Sequence, residues 1–154
     1  MAELDTSLRQ GQLNVTVKAG FTGAPEAGWS VCLNLTDPRG RKVFAKDRSA
    51  PLGLNRHDMH YGQAVFSELL KRPLAWSAEA PHLYTLTVGL VDPQGRVVEW
   101  TRCRTGFRRV EIKNRELLLN GKPVMIRGVN RHEHDDTTGK TISRESMIRD
   151  IRLM

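Results

Sequence analysis

The sequence predicts an all-β fold: an antiparallel β-sandwich followed by a short strand–loop–helix segment. Three observations carry this. Short apolar/polar alternations fill the first two thirds of the chain, the turn Asp-Pro-x-Gly occurs twice between such segments, and helical spacing of apolar residues is absent before about residue 140.

Gln12 to Lys18 sets Leu13, Val15 and Val17 on one face, and Trp29 to Thr36 does the same with Trp29, Val31, Leu33 and Leu35. Asp37-Pro38-Arg39-Gly40 follows, where proline presets φ and glycine suits the last turn position. The predicted return strand is Lys42 to Asp47, with Val43 and Ala45 facing inward. Residues 48 to 62 are polar and aperiodic, a loop or weak edge strand. Gln63 to Leu70 reads as a strand stopped by Pro73, and Trp76 to His82 as a crossing connection. Tyr84 to Val91 places Tyr84, Leu86, Val88 and Leu90 on one side; Asp92-Pro93-Gln94-Gly95 then turns the chain into Arg96 to Arg104, where Val98 and Trp100 alternate. Six or seven strands in about 100 residues match an immunoglobulin-like sandwich. Trp29, Trp76, Tyr84 and Trp100 are expected to serve core or interdomain packing rather than to form a sugar platform.

After Gly106 the pattern changes. Val110 to Lys113 and Glu116 to Leu119 form a second hairpin region, with Asn120-Gly121 as a two-residue turn signal. Val124-Met125-Ile126-Arg127-Gly128-Val129 is a nearly continuous apolar run, as expected of a strand buried on both faces of a parallel sheet. A polar loop leads to Ser143, a good N-cap, and to Met147, Ile148, Ile151 and Met154 at helical spacing. No stop signal closes that helix, so the chain reads as a piece of a longer protein. The predicted division is residues 1–109, the sandwich, and residues 110–154, a hairpin, one strand and one helix of an incomplete barrel.

Composition narrows the function. The chain has 154 residues, 39% hydrophobic and 27% charged, enough for a packed core. No apolar run approaches the ~20 residues of a membrane span. The N-terminus lacks the basic start and apolar run of a signal peptide. Cys32 and Cys103 are the two cysteines, read as free thiols in a reducing cytoplasm. Net charge is +7, but basic residues spread from Arg9 to Arg152. The densest cluster, Arg102, Arg104, Arg108 and Arg109, lacks the interleaved aromatics of a single-strand platform, so neither nucleic acid nor a membrane is expected as partner.

Asn130-Arg131-His132-Glu133-His134-Asp135-Asp136 is the most unusual cluster, placed where a parallel strand ends and ligands bind in α/β architectures. On spacing alone His132 and His134 could ligate a metal with Asp135 or Asp136; the alternative is a solvated, hydrogen-bonded loop.

The stretch GFRRVEIKNRELLLNGKPVMIRGVNRHEH, Gly106 to His134, resembles the junction of glycoside hydrolase family 2, where an immunoglobulin-like domain hands over to a catalytic (β/α)₈ (TIM) barrel. LAWSAEAPHLYTLTVGL, Leu74 to Leu90, resembles the family sandwich, and Arg-His-Glu-His resembles its β-galactosidase branch. The resemblance implies a retaining hydrolase of terminal β-D-galactosides in carbohydrate metabolism, working with two glutamates that lie downstream, so this chain holds no catalytic residue. It implies substrate binding by His132, with Asn130, Arg131 and His134 as pocket wall and Glu133 in a supporting, buried ion-pair role. Asp136 stands where the family often has proline, which leaves the loop's course and the role of Asp135 open. No metal ligand or cofactor is expected within the segment; magnesium and sodium belong to the full-length parent, as do the galactoside and any homo-oligomer. The alternatives are a free-standing carbohydrate- or protein-binding β-sandwich and a basic nucleic-acid-binding module.

Overall fold

In the computed structural model, residues 1–23, 25–54 and 61–154 are described. They divide into two units, Met1–Val124 and Met125–Met154.

The first unit is built from antiparallel strands. β1 (Ala2–Leu4), β2 (Gln10–Gly20), β3 (Ser30–Thr36), β4 (Arg48–Pro51), β5 (Gly53–Leu54), β6 (Tyr61–Lys71), β7 (Tyr84–Val91) and β8 (Val97–Thr105) form two four-stranded sheets. Their orders are β1-β2-β6-β5 and β4-β3-β7-β8. Alternation in the sequence becomes burial in the sandwich: Val31, Leu33 and Leu35 of β3 and Tyr84, Leu86 and Val88 of β7 share the core with Leu13 of β2 and Ala64, Phe66 and Leu70 of β6. Each buried Val, Leu or Phe side chain contributes roughly 1.5–3 kcal/mol by leaving water.

Both Asp-Pro-x-Gly segments close as expected, each by an amide-to-carbonyl bond of 2.9 Å, from Gly40 to Asp37 and from Gly95 to Asp92, with both glycines at φ +81°. Each aspartate does more than start its turn. Asp37 Oδ1 accepts the Arg39 and Arg41 amides, and its Oδ2 accepts Arg41 Nε at 2.8 Å. Asp92 repeats this with the Gln94 and Arg96 amides and Arg96 Nε, and is itself buried.

The return strand expected over Lys42 to Asp47 does not form. Lys42 makes a single bridge to Thr36, the chain then bends, and pairing with β3 resumes only at β4 through Leu33↔Arg48. Phe44 rather than Val43 or Ala45 becomes the buried side chain, because burial of its ring outweighs the weak two-residue alternation around it. Of the aperiodic stretch 48–62, β4 and β5 are short edge strands, and positions 55–60 lie outside the described residues.

The aromatic expectations divide. Tyr84 is buried, edge-on to Phe107 with ring centroids 5.0 Å apart, and its hydroxyl accepts the Leu74 amide at 2.9 Å. Trp29 is half-buried against Phe21, and Trp76 carries the Arg108 guanidinium over its ring. Trp100 is 56% exposed, so it is not a core residue. It lies opposite Gly89 on the outer face, where a Cβ at Gly89 would stand 2.9 Å from its ring.

Phe107 is fully buried and marks the end of the sandwich. Its carbonyl accepts the Trp76 amide, and a Cβ on Gly11 would come within 2.7 Å of its ring, which is why the smallest residue stands there. The chain then forms a small sheet from β9 (Val110–Lys113), β10 (Glu116–Leu119) and β11 (Lys122–Pro123), in the order β11-β10-β9. The Asn120-Gly121 turn has positive φ at both residues, as its sequence predicts. Asn120 also holds the small sheet in place. Its Oδ1 accepts the Arg109 amide and its Nδ2 donates to the Trp76 carbonyl, both at 2.9 Å.

The second unit holds one helix, α1 (Arg144–Leu153). Ser143 caps it, its side chain accepting the Ser146 amide at 3.1 Å, and none of its residues is buried. The apolar run Val124 to Val129 is not a strand here: no ladder includes it, and Val124, Met125, Ile126 and Val129 are 40–79% exposed. A strand of a parallel sheet is held by bonds to neighbours on both sides, and among the described residues no such neighbour is present.

Candidate functional site

The 130–136 run opens the second unit's polar loop, and its local geometry comes from three residues. Arg131 turns toward the helix: its Nε donates to Asp150 Oδ2 at 2.7 Å, and its second guanidinium nitrogen lies 2.5 Å from the same oxygen. The His134 amide donates to the His132 carbonyl at 3.0 Å, a tight local bend that presents both imidazoles to solvent. Asp135 Oδ1 accepts the amides of Thr137 and Thr138, each at 2.9 Å, while its backbone exchanges hydrogen bonds with Gly139. The Thr138 amide, followed by the Thr137 amide and the Thr138 side chain, holds the Asp135 carboxyl below the usual carboxylate range.

Asn130, His132 and His134 are exposed, and among the described residues no side-chain hydrogen bond joins them to one another. Arg131 is the candidate engaged by protein. Glu133 is exposed and has no salt-bridge partner among the described residues; Asp150 supplies the carboxylate that Arg131 meets. Among the described residues no three His, Cys, Asp or Glu side chains converge as a metal would require, so the pairing of His132 and His134 with Asp135 or Asp136 does not form a metal centre here.

Two structural residues went unread in the sequence. Asp135-Asp136-Thr137-Thr138-Gly139 is an aspartate turn whose signal, an acid followed by hydroxyl residues and glycine, is local and legible. Asp150 carries no such signal, since its partner lies 19 positions away.

The loop thus presents two exposed histidines next to Arg131, which is tied to Asp150 of the capped helix. Comparison with known proteins gives the class. Residues 2–108 match Glycosyl hydrolases family 2, and residues 110–154 match the Glycosyl hydrolases family 2 TIM barrel domain. The chain belongs to glycosyl hydrolases family 2.

Its relatives within that family are more particular. The chain is 50% identical over 155 residues to a β-galactosidase of Priestia megaterium, covering 99% of this chain and 15% of that protein. It is 38% identical over 154 residues to a β-galactosidase of Pectobacterium atrosepticum, covering 98% of this chain and 14% of that protein. Among solved structures, a β-glucuronidase of Parabacteroides merdae superposes with a TM-score of 0.78 at 25% identity, covering all of this chain and 18% of that one. The chain thus spans about one seventh of the length of these β-galactosidases.

Proposed function

We propose that the chain is the linker sandwich and barrel entry of a retaining hydrolase of terminal β-D-galactosides, with the catalytic barrel beginning near residue 110. The observation that carries this reading is the 50% identity to a β-galactosidase along the whole chain, through the 130–134 run. The sandwich frames the barrel, and the hairpin tied down by Asn120 sets where the barrel begins.

In this reading His132 faces the sugar, with Asn130, Arg131 and His134 as pocket wall. A neutral imidazole donates one hydrogen bond and accepts another, which suits a ring of hydroxyls. Arg131 acts by holding the loop: its guanidinium is committed to Asp150, which fixes the residue immediately before His132. Retention requires two carboxyl groups ~5–5.5 Å apart on the barrel. A barrel takes about 250 residues, and this chain supplies one helix of it, so the isolated chain is inactive. Magnesium and sodium, if the whole enzyme uses them, are held by residues outside this segment.

The test is hydrolysis of chromogenic β-glycosides by the whole protein carrying this segment and by the 154-residue chain. The reading expects the whole protein to cleave the β-galactoside in preference to the β-glucuronide, and the chain alone to cleave neither. A whole protein inert toward every β-glycoside contradicts it; preference for the glucuronide moves it to the other branch of the family.

A further inference from the structure

Among the described residues β8 is the longest of the outermost strands, and its outer edge has no ladder partner; β6 beyond Gln63 and β2 beyond Asn14 are also unpaired on one side. The other outermost strands are short: β4 has four residues ending in Pro51, β5 has two, and β1 has three and bridges Arg108 through Glu3. β8 has nine residues, pairs on one side with β7 and contains neither proline nor lysine; the charges it carries are Glu99, Arg102 and Arg104. Its residues are exposed from Val97 through Arg104, including Val98 and Trp100 at 52% and 56%. The register shift opposite Leu90 and Val91 bulges β8 at Val98, leaving Glu99 to Thr105 as the regular edge.

The side chains along that edge suit a second copy. Trp100, Arg102 and Arg104 lie opposite Gly89, Thr87 and Thr85 on the outer face, while Glu99, Thr101 and Cys103 lie opposite core-side residues of β7. Two such edges related by a twofold axis meet antiparallel, and directly opposed residues then share a face. With Thr101 opposite its own copy, Trp100 of each chain faces Arg102 of the other, and Glu99 faces Cys103. A guanidinium over an indole is the strongest cation–π combination among side chains, and it occurs twice. A shift of two residues in the strand sum one way sets Arg102 against Arg102, so charge disfavours that alternative.

We propose that β8 is a self-association edge: two copies of this chain join their β4-β3-β7-β8 sheets across it, centred on Thr101. About five paired residues make a small contact, so the dimer is weak and reversible. Sedimentation of the 154-residue chain from low-micromolar to near-millimolar concentration should show mass rising toward two chains. Arg102→Glu, an exposed change, should shift that rise to about tenfold or more higher concentration with an unchanged circular dichroism spectrum.

Glu99→Cys tests the register. Its thiol is placed opposite the partner's native Cys103, within the Cα separation a disulfide needs. Oxidised glutathione, which takes up the two electrons, should yield a disulfide-linked dimer that the further change Cys103→Ser abolishes. A chain that stays monomeric throughout, association indifferent to Arg102→Glu, or cross-linking through Cys103 to Cys103 instead overturns the proposal.

Discussion

Arg131 and Asp150 are joined by two contacts to one carboxylate oxygen, at 2.7 and 2.5 Å, across a loop of 18 intervening residues. The tie spans the polar loop and reaches the second turn of a helix that buries nothing. The second unit therefore depends on a few polar interactions. Asp150→Ala should speed amide exchange across α1 and in the 132–139 loop together. The pair is partly exposed, so its loss costs only about 0.5–1 kcal/mol. A double-mutant cycle of Arg131→Ala and Asp150→Ala read by helix exchange should show that coupling; additive effects would place the loop's order elsewhere.

Asn120 binds the small sheet to the sandwich through both ends of its amide. Asn120→Gly keeps the positive φ of 51° open to the backbone while removing both bonds. The expected cost is about 1–3 kcal/mol in chemical denaturation of the chain. Faster exchange confined to 110–123 would accompany it. A neutral result would mean water replaces both partners.

The outer face around Gly89 is filled by its neighbours. A methyl group there would stand 2.8 Å from Cys32 Sγ and 2.9 Å from the Trp100 ring. Gly89→Ala should destabilise the sandwich by about 1–3 kcal/mol. Trp100→Ala in the same chain should recover part of this by clearing one of the two obstructions. If the double variant is no more stable than Gly89→Ala, the strain lies in the backbone instead.

Acid should loosen the second Asp-Pro-x-Gly turn. Burial opposes ionisation of Asp92, but the Arg96 amide, the Arg96 guanidinium and the Gln94 amide outweigh it and hold the carboxyl below the ordinary 3.8. A depressed carboxyl pKa contributes stability that is present above the unfolded value and lost as pH falls through the folded one. The denaturation midpoint should therefore drop as pH goes below about 3.8, and Asp92→Asn should be less stable at neutral pH with a shallower fall in acid. An unchanged acid limb in Asp92→Asn would remove this turn from the account.

What the sequence makes legible is what neighbouring residues decide. Asp37, Gly40, Asp92 and Gly95 form their turns from within five or fewer positions, and Ser143 caps its helix from three away. The core alternation of β3 and β7 is likewise read directly, since period-two burial needs only one face to be covered. The misreadings share a cause: a partner outside the local window. Lys42 to Asp47 fails because β3 pairs with Arg48 instead, and Phe44 takes the core position. Val124 to Val129 is apolar enough for a buried strand but finds no neighbour among the described residues. Of the site, the histidine-bearing loop and the helix after it are visible in the sequence; the tie from Arg131 to Asp150 is not, because an isolated acid on a helix carries no mark of its distant partner.

The sugar-facing role given to His132 is the claim on which the functional reading turns, and steady-state kinetics of the whole protein tests it most directly. His132→Ala should lower kcat/KM for a chromogenic β-galactoside by about 10- to 100-fold, the loss of one hydrogen bond to a charged or developing-charge partner, with the thermal midpoint unmoved. An unchanged kcat/KM in a folded His132→Ala enzyme would contradict the assignment.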